Sequence, residues 1–345
     1  MKTEIVTFYW SNNYGALLQA VTLKEYLKKF HNQDVSFNNY LPKKLIYKEN
    51  ISQLNRNNLK FILRIIQKKY LLYKWKLNIA KFDKPNLNYN KKDIDLYIYG
   101  SDEIWNYTSP FTGFDPFFFG KGNDKKKISY AASLGNASLK NTNYLDEIKN
   151  CLKKFTHISV RDDNTQKFVK YCININPKIV LDPCFLCTPD FISGENPKIK
   201  NLSSQKYILI YGNYFTNNDI SKIIEFSKKN EMNLISTGFY NKWSDKNILN
   251  CDPNDFIYLV KNSEFVFTSM FHGVMLSYKY KKNFWISQDP YRSNKLNYFV
   301  NYLDLANRYI DVLGKIEIDY NLNRNKFEDW LSISKNFLTK SLSDK

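Results

Sequence analysis

Short apolar runs that break off into glycine, serine, threonine, aspartate or arginine recur along the whole chain, and this recurrence most restricts its fold. Ile5-Val6-Thr7-Phe8 gives way to the polar turn Ser11-Asn12-Asn13-Tyr14-Gly15, and Ile94 to Tyr99 to Gly100-Ser101-Asp102-Glu103. Lys127 to Ala132 runs into Ser133-Leu134-Gly135, His157 to Val160 into Arg161-Asp162, and Lys178 to Leu181 into Asp182-Pro183. After the polar linker Ser193-Gly194-Glu195-Asn196-Pro197 the theme restarts: Tyr207 to Tyr211 with Gly212, Asn233 to Thr237 with Gly238, and Glu264 to Phe267 with Thr268-Ser269-Met270-Phe271-His272-Gly273. Such runs read as buried strands. They alternate with stretches of helical period, of which Ala16, Leu17, Ala20, Leu23 and Leu27 are the first. That alternation builds βαβ units around parallel sheets, and ligands bind such sheets beyond the carboxyl ends of the strands.

A chain of 345 residues exceeds what one core usually supports. The expected organisation is two α/β layers facing across a cleft. An N-terminal unit spans 1–192 and carries a basic helical insertion at about 57–82. A C-terminal unit spans 200–322, and a terminal amphipathic helix occupies 323–345. The insertion combines Ile62, Leu63, Ile65, Ile66, Leu71, Leu72 and Trp75 with Lys60, Arg64, Lys68, Lys69, Lys74 and Lys76. Docking on its own domain is the favoured reading, with contact to an anionic membrane surface as the other.

The net charge of +18 raises nucleic acid as a partner. The cations are spread along the chain, nearly all lysine beside abundant asparagine, so the bias reads as compositional and no nucleic-acid partner is expected. Five cysteines make an odd count, and no secretory or membrane-spanning stretch precedes or interrupts the pattern. The expectation is a soluble cytoplasmic protein, at most membrane-associated. Cys184-Phe185-Leu186-Cys187 has metal-pair spacing but lacks a second cysteine pair or a nearby histidine, so no metal is expected.

Three histidines are present, His31, His157 and His272. Only His272 stands on a strand-to-helix turn, which makes it the candidate for proton transfer near neutral pH. Arginine is scarce, six against many lysines. Arg161 and Arg292 therefore weigh most as anion ligands, because guanidinium matches carboxylate and phosphate bidentately. Ser101 and Asp102 can cap a helix or hold a sugar hydroxyl. Trp105 can stack on a sugar ring or fill the core; the pattern leaves both open.

Asn13-Tyr14-Gly15-Ala16-Leu17-Leu18-Gln19-Ala20, Gly100-Ser101-Asp102-Glu103-Ile104-Trp105, Tyr130 to Gly135, Ser159-Val160-Arg161, Leu181-Asp182-Pro183 and Ser269-Met270-Phe271-His272-Gly273 occur in that order. Together they resemble the motifs of the polysaccharide pyruvyl transferase family. The resemblance runs from about residue 3 to about 310. It implies two Rossmann-like domains in a glycosyltransferase-B-like arrangement, with phosphoenolpyruvate as co-substrate and no other cofactor. The implied acceptor is a hexose of a surface polysaccharide or of its lipid-linked precursor, which would receive a pyruvate ketal. By the same resemblance His272 and Asp102 are catalytic. Arg161, Thr268, Ser269, Gly273 and Arg292 bind the donor, and Asn13, Tyr14, Gly15, Ser101, Glu103, Trp105 and Ser133 bind the acceptor. One departure stands out: many members carry an arginine just before the motif histidine, where this chain has Met270-Phe271, so another cation must hold the donor. A nucleotide-sugar glycosyltransferase and a non-catalytic glycan-binding relative are the alternatives on the same scaffold, since fold does not set chemistry.

Overall fold

The computed structural model describes residues 1–50, 59–82, 93–138, 143–189, 199, 205–290, 293–314 and 317–344. The first unit runs β1 (Lys2–Val6), α1 (Tyr14–His31), β2 (Asp34–Phe37), α2 (Lys43–Asn50), α3 (Leu59–Lys74), β3 (Leu96–Tyr99), β4 (Lys126–Ala132), α4 (Leu145–Leu152), β5 (His157–Val160), α5 (Asp163–Ile173) and β6 (Lys178–Ile179). Among the described residues its strands form a parallel sheet in the order β2-β1-β3-β4-β5-β6. The second unit runs β7 (Tyr207–Tyr211), α6 (Asn217–Lys229), β8 (Asn233–Thr237), β9 (Lys246–Ile248), α7 (Pro253–Asn262), β10 (Phe265–Thr268), α8 (Phe271–Lys279), β11 (Asn283–Ile286) and α9 (Ser293–Tyr302). Its strands are also parallel, ordered β11-β10-β7-β8-β9. The fold is thus the pair of Rossmann-like layers that the strand-to-turn pattern predicts. The linker 193–197 and the junction of the expected domains lie outside the described residues. No helix among the described residues is long and apolar enough to cross a membrane.

In each sheet the strand order reverses once, between β1 and β3 in the first and between β7 and β10 in the second. Such a reversal leaves a crevice outside the carboxyl ends. Local chemistry keeps these ends sharp. Asn13 caps α1, its side-chain oxygen accepting from the N–H groups of Gly15 at 2.8 Å and Ala16 at 3.3 Å, and Asn32 ends the helix in the left-handed region at φ 49°. Asp162 caps α5 through the N–H of Thr165. β6 ends at Ile179; beyond it Asp182 caps the short turn opened by Pro183, its side chain accepting from the N–H of Cys184 at 3.0 Å.

The two units share one apolar core. Tyr14 of α1 is inserted into the second unit, where its ring stacks on Phe256 (centroids 5.1 Å apart) and its hydroxyl donates to the Cys251 carbonyl at 3.1 Å. α3 lies outside both sheets and docks by one face. Ile65 and Leu72 are buried, and Trp75, in a π-turn over Trp75–Ile79, donates its indole N–H to Asn254 of the second unit at 3.1 Å. Truncating a buried tryptophan of this kind costs about 3–5 kcal/mol. The expected insertion is therefore a brace between units, although 57 and 58 lie outside the described residues. The terminal helix α10 (Arg324–Ser343) returns to the first unit, where Trp330 donates to Ile179 O at 3.0 Å and Ser334 accepts from Leu181 N at 2.8 Å. It covers the short edge strand β6, which would otherwise offer unpaired backbone.

Candidate functional site

The two crevices face each other across a cleft of about 560 Å³. From the first unit the β1–α1 loop supplies Ser11, Asn12 and Asn13, the turn after β3 supplies Asp102 and Glu103, and α3 supplies Ile65, Lys68 and Lys69. From the second come Asn213, Gly238, Tyr240 and, at the start of α8, Met270, Phe271 and His272. The cleft contains two groups of charges.

The first group joins the units. Arg161, at the end of β5 and 3 % exposed, donates to Asp102 Oδ1 at 3.2 Å and to Asp182 Oδ2 at 3.1 Å, with its guanidinium over the Phe271 ring at 4.5 Å. His272 Nε2 lies 3.4 Å from the same Asp182 Oδ2, within reach of an ion pair but poorly aligned for a full hydrogen bond. Burial pushes the Asp182 carboxyl up. The charges of His272 and Arg161 and the Cys184 N–H outweigh burial and hold it well below the usual carboxylate range. For Arg161 burial works against the charge, and Asp102 and Asp182 overcome it and raise its pKa. The imidazole is seated by Gly15: a Cβ there would stand 2.1 Å from His272 Nδ1, so any larger residue displaces the ring.

Asp182, Cys184 and His272 place potential ligand atoms within 4.8 Å of one another. Arg161 already occupies the cation position at Asp182. Burial, followed by the charge of Asp182, drives the Cys184 thiol far up, away from the thiolate a metal requires. The trio suits a proton-handling histidine better than a metal ion.

The second group lies under α3. Glu49 of α2 accepts from Ser11 Oγ at 2.6 Å and from the Asn12 N–H at 2.9 Å, which fixes the β1–α1 loop. Lys76 donates to the Trp10 carbonyl at 2.9 Å and to Asn12 Oδ1 at 3.3 Å. Lys68 reaches across the cleft to the Gly238 carbonyl at 3.0 Å, with its ammonium 4.8 Å from the centre of the Tyr14 ring. Burial lowers Lys68 and Lys76 to about 8, while Glu49, itself pushed up by burial, partly opposes this.

The sequence-predicted residues divide between cleft and frame. Asn13, Tyr14, Asp102, Glu103 and His272 line the cleft. Arg161 is committed to two carboxylates and is a connecting cation, so the expected role as free anion ligand does not fit its geometry. Trp105 is fully buried, donates to Phe118 O at 2.9 Å and stacks on Phe119; the core reading holds, and it presents no face to a sugar. Ser101 donates to Gln19 Oε1 at 3.0 Å and Ser133 to Asp162 Oδ2 at 2.6 Å, both fully buried away from the cleft. Thr268 bonds Tyr211 O at 2.5 Å and the Met270 N–H at 3.0 Å, and Ser269 accepts from Tyr214 N at 3.3 Å; they shape the turn before α8. Gly273 lets α8 approach Thr268, whose Oγ1 would be 2.1 Å from an added Cβ. Arg292 lies outside the described residues. Asp182 stands in a motif without an assigned role, Lys68 and Lys69 stand only as members of the basic insertion, and Glu49 does not figure in the sequence reading; no spacing signal sets them apart.

In fold, the chain is similar to the co-structure of S. aureus MnaA with UDP, at TM-score 0.50 and 12 % identity, covering 98 % of both chains. It is likewise similar to the crystal structure of UDP-GlcNAc 2-epimerase from Neisseria meningitidis bound to UDP-GlcNAc, at TM-score 0.51 and 12 % identity, covering 99 % of this chain and all of that one. Both likenesses establish the glycosyltransferase-B-type architecture alone. No curated protein matches the sequence. The family model for polysaccharide pyruvyl transferase matches residues 13–286, a span that begins at the cap of α1, contains every charged residue of both groups and ends with β11; the chain belongs to the polysaccharide pyruvyl transferase family.

Proposed function

We propose that this transferase moves the three-carbon unit of phosphoenolpyruvate onto two hydroxyls of a hexose, in a surface polysaccharide or its lipid-linked precursor, forming a pyruvate ketal and releasing phosphate. The observation that carries the reading is the pairing, within one cleft, of a carboxylate-backed histidine with half-buried lysines. The donor is a trianion with a carbon that must be protonated. Its methylene carbon takes a proton from His272, which leaves an oxocarbenium-like centre. One sugar hydroxyl adds there and gives up its proton. The C–O bond to phosphate then breaks, and the second hydroxyl closes the ketal and releases its proton. One proton enters carbon and two leave oxygen; phosphate carries away one and His272 recovers the other. Asp182 orients the imidazole, and Asp102 or Glu103 relays one of those two hydroxyl protons on to His272 or to the departing phosphate, keeping none.

Lys68 and Lys69 take the part of the arginine that Met270-Phe271 displaces. Lys68 places an ammonium in the cleft that donates to the Gly238 carbonyl and lies near the Tyr14 and Phe239 rings, and among the described residues no carboxylate stands in direct contact with it to compete with an incoming phosphate or carboxylate. Supplying phosphoenolpyruvate with lipid-linked and free glycans tests the proposal. The expected result is phosphate release coupled to an acceptor mass gain of one pyruvate less one water. Release of a nucleoside diphosphate from a nucleotide sugar, with phosphoenolpyruvate inert, would replace it.

A further inference from the structure

α3 is apolar on two faces; one docks on the protein, and among the described residues the other carries a run of exposed side chains. Leu63, Ile66 and Tyr70 are 50 %, 49 % and 56 % exposed, and at 3.6 residues per turn they fall within an arc of roughly 60° on the side away from the docked Ile65 and Leu72, whereas Tyr73 beside them packs edge-on against Trp10. Exposed Lys74 borders this stripe and exposed Arg64 stands further round the same side of the helix, and Lys74 Nζ lies over the Tyr70 ring at 4.7 Å. The helix, LKFILRIIQKKYLLYK, contains no acidic residue. Isolated exposed apolar side chains are ordinary; a row of three on one basic helix is the pattern of a segment that lies in a membrane interface. The other face of the same helix presents Ile65, Lys68 and Lys69 to the cleft.

We infer that α3 is a docking helix for an anionic lipid surface, seating the Leu63, Ile66 and Tyr70 side chains among the acyl chains with Arg64 and Lys74 at the phosphates. Its position on the cleft rim holds the mouth of the site at headgroup depth, where a saccharide carried on a lipid diphosphate is presented. This purpose rests on the proposed glycan acceptor; the docking itself is measured without turnover. The basic flanks and the lack of acid favour an anionic bilayer over a second copy of this chain, since two such helices would repel.

Flotation of the full chain with phosphatidylcholine vesicles, with and without phosphatidylglycerol, tests it. The expected result is co-flotation with the anionic vesicles that high salt removes. Leu63→Ser, Ile66→Ser and Tyr70→Ser combined should abolish it, and Arg64→Gln with Lys74→Gln should cut it roughly tenfold or more. Thermal unfolding and phosphate release on a water-soluble acceptor should be unchanged in both, because these side chains face away from core and cleft. Absence of flotation at low salt, flotation kept by the triple variant, equal binding to neutral vesicles, or a concentration-dependent dimer abolished by the triple variant would each overturn the inference. If flotation behaves as expected while no acceptor is pyruvylated, the proposed function fails and the docking stands.

Discussion

The two charged groups in the cleft have opposite constructions. Asp102, Arg161, Asp182 and His272 sit at strand ends and a helix start, compensated within one chain of contacts in which Arg161 is paired twice. Glu49, Lys68 and Lys76 sit on helices outside the sheets, where cations outnumber the single carboxylate and two ammonium groups are held at about 8. A neutralised group fixes geometry, and a positive remainder attracts an anion. On the proposed function the contrast gives positioning and proton transfer to the first and donor capture to the second, and each prediction breaks that division or refines it.

The largest effect is expected at His272. His272→Ala should lower phosphate release from phosphoenolpyruvate plus acceptor by about 10²–10⁴-fold, the usual contribution of a positioned acid or base. Unchanged turnover would move the chemistry out of the strand-end group altogether. Asp182→Asn keeps the shape but removes the charge behind Nε2, and its loss should appear in kcat with KM for phosphoenolpyruvate nearly constant.

Arg161 is expected to matter first for the fold. Arg161→Met leaves Asp102 and Asp182 facing each other uncompensated, and breaking a buried pair in this way costs about 3–5 kcal/mol, readable by urea unfolding. The acid limb checks the same contact. The folded Asp182 pKa lies below its unfolded value of about 3.9, so its contribution is complete above that pH and is lost as pH falls through the folded value. Asp182→Asn should flatten that part of the profile. A small loss in Arg161→Met, with activity gone, would instead make Arg161 the anion ligand that the sequence suggested.

Lys68 carries the contrast on the other side. Lys68→Met should raise KM for phosphoenolpyruvate by about 10- to 100-fold, the worth of a charge-assisted hydrogen bond, with kcat less affected. With its pKa at about 8, Lys68 is charged below that pH and neutral above it. Donor binding should therefore weaken as pH rises through 8, and Lys68→Arg should remove the break.

What could be read beforehand follows the same division. Strand ends advertise themselves, because an apolar run must stop at a polar or small residue; Asp102, Arg161 and His272 were found that way, and both sheets with them. The short β9, Lys-Asn-Ile on a sheet edge, has no apolar run and carries no such signal. Trp105 shows the limit from the other side: a tryptophan behind a motif turn looks the same whether it meets a sugar or Phe119. Lys68 was hidden among lysines, since only the docking of α3 tells a buried ammonium from the exposed Lys74 six residues on.

The smallest expected effect tests whether the helix-borne group acts as a unit. Glu49 favours the charged form of Lys68, opposing burial. Glu49→Gln removes that support, so the Lys68 ammonium deprotonates at lower pH and the break in donor KM should move below 8 by a fraction of a unit. The change also deprives Ser11 and Asn12 of a charged acceptor, which loosens the β1–α1 loop beside the cleft. Loop loosening raises KM at every pH, whereas the electrostatic effect displaces the profile along the pH axis. A uniform rise with the break still near 8 would mean that Glu49 braces the loop and Lys68 is set by burial alone. A displaced break would make the carboxylate the element that keeps the capturing cation charged at neutral pH.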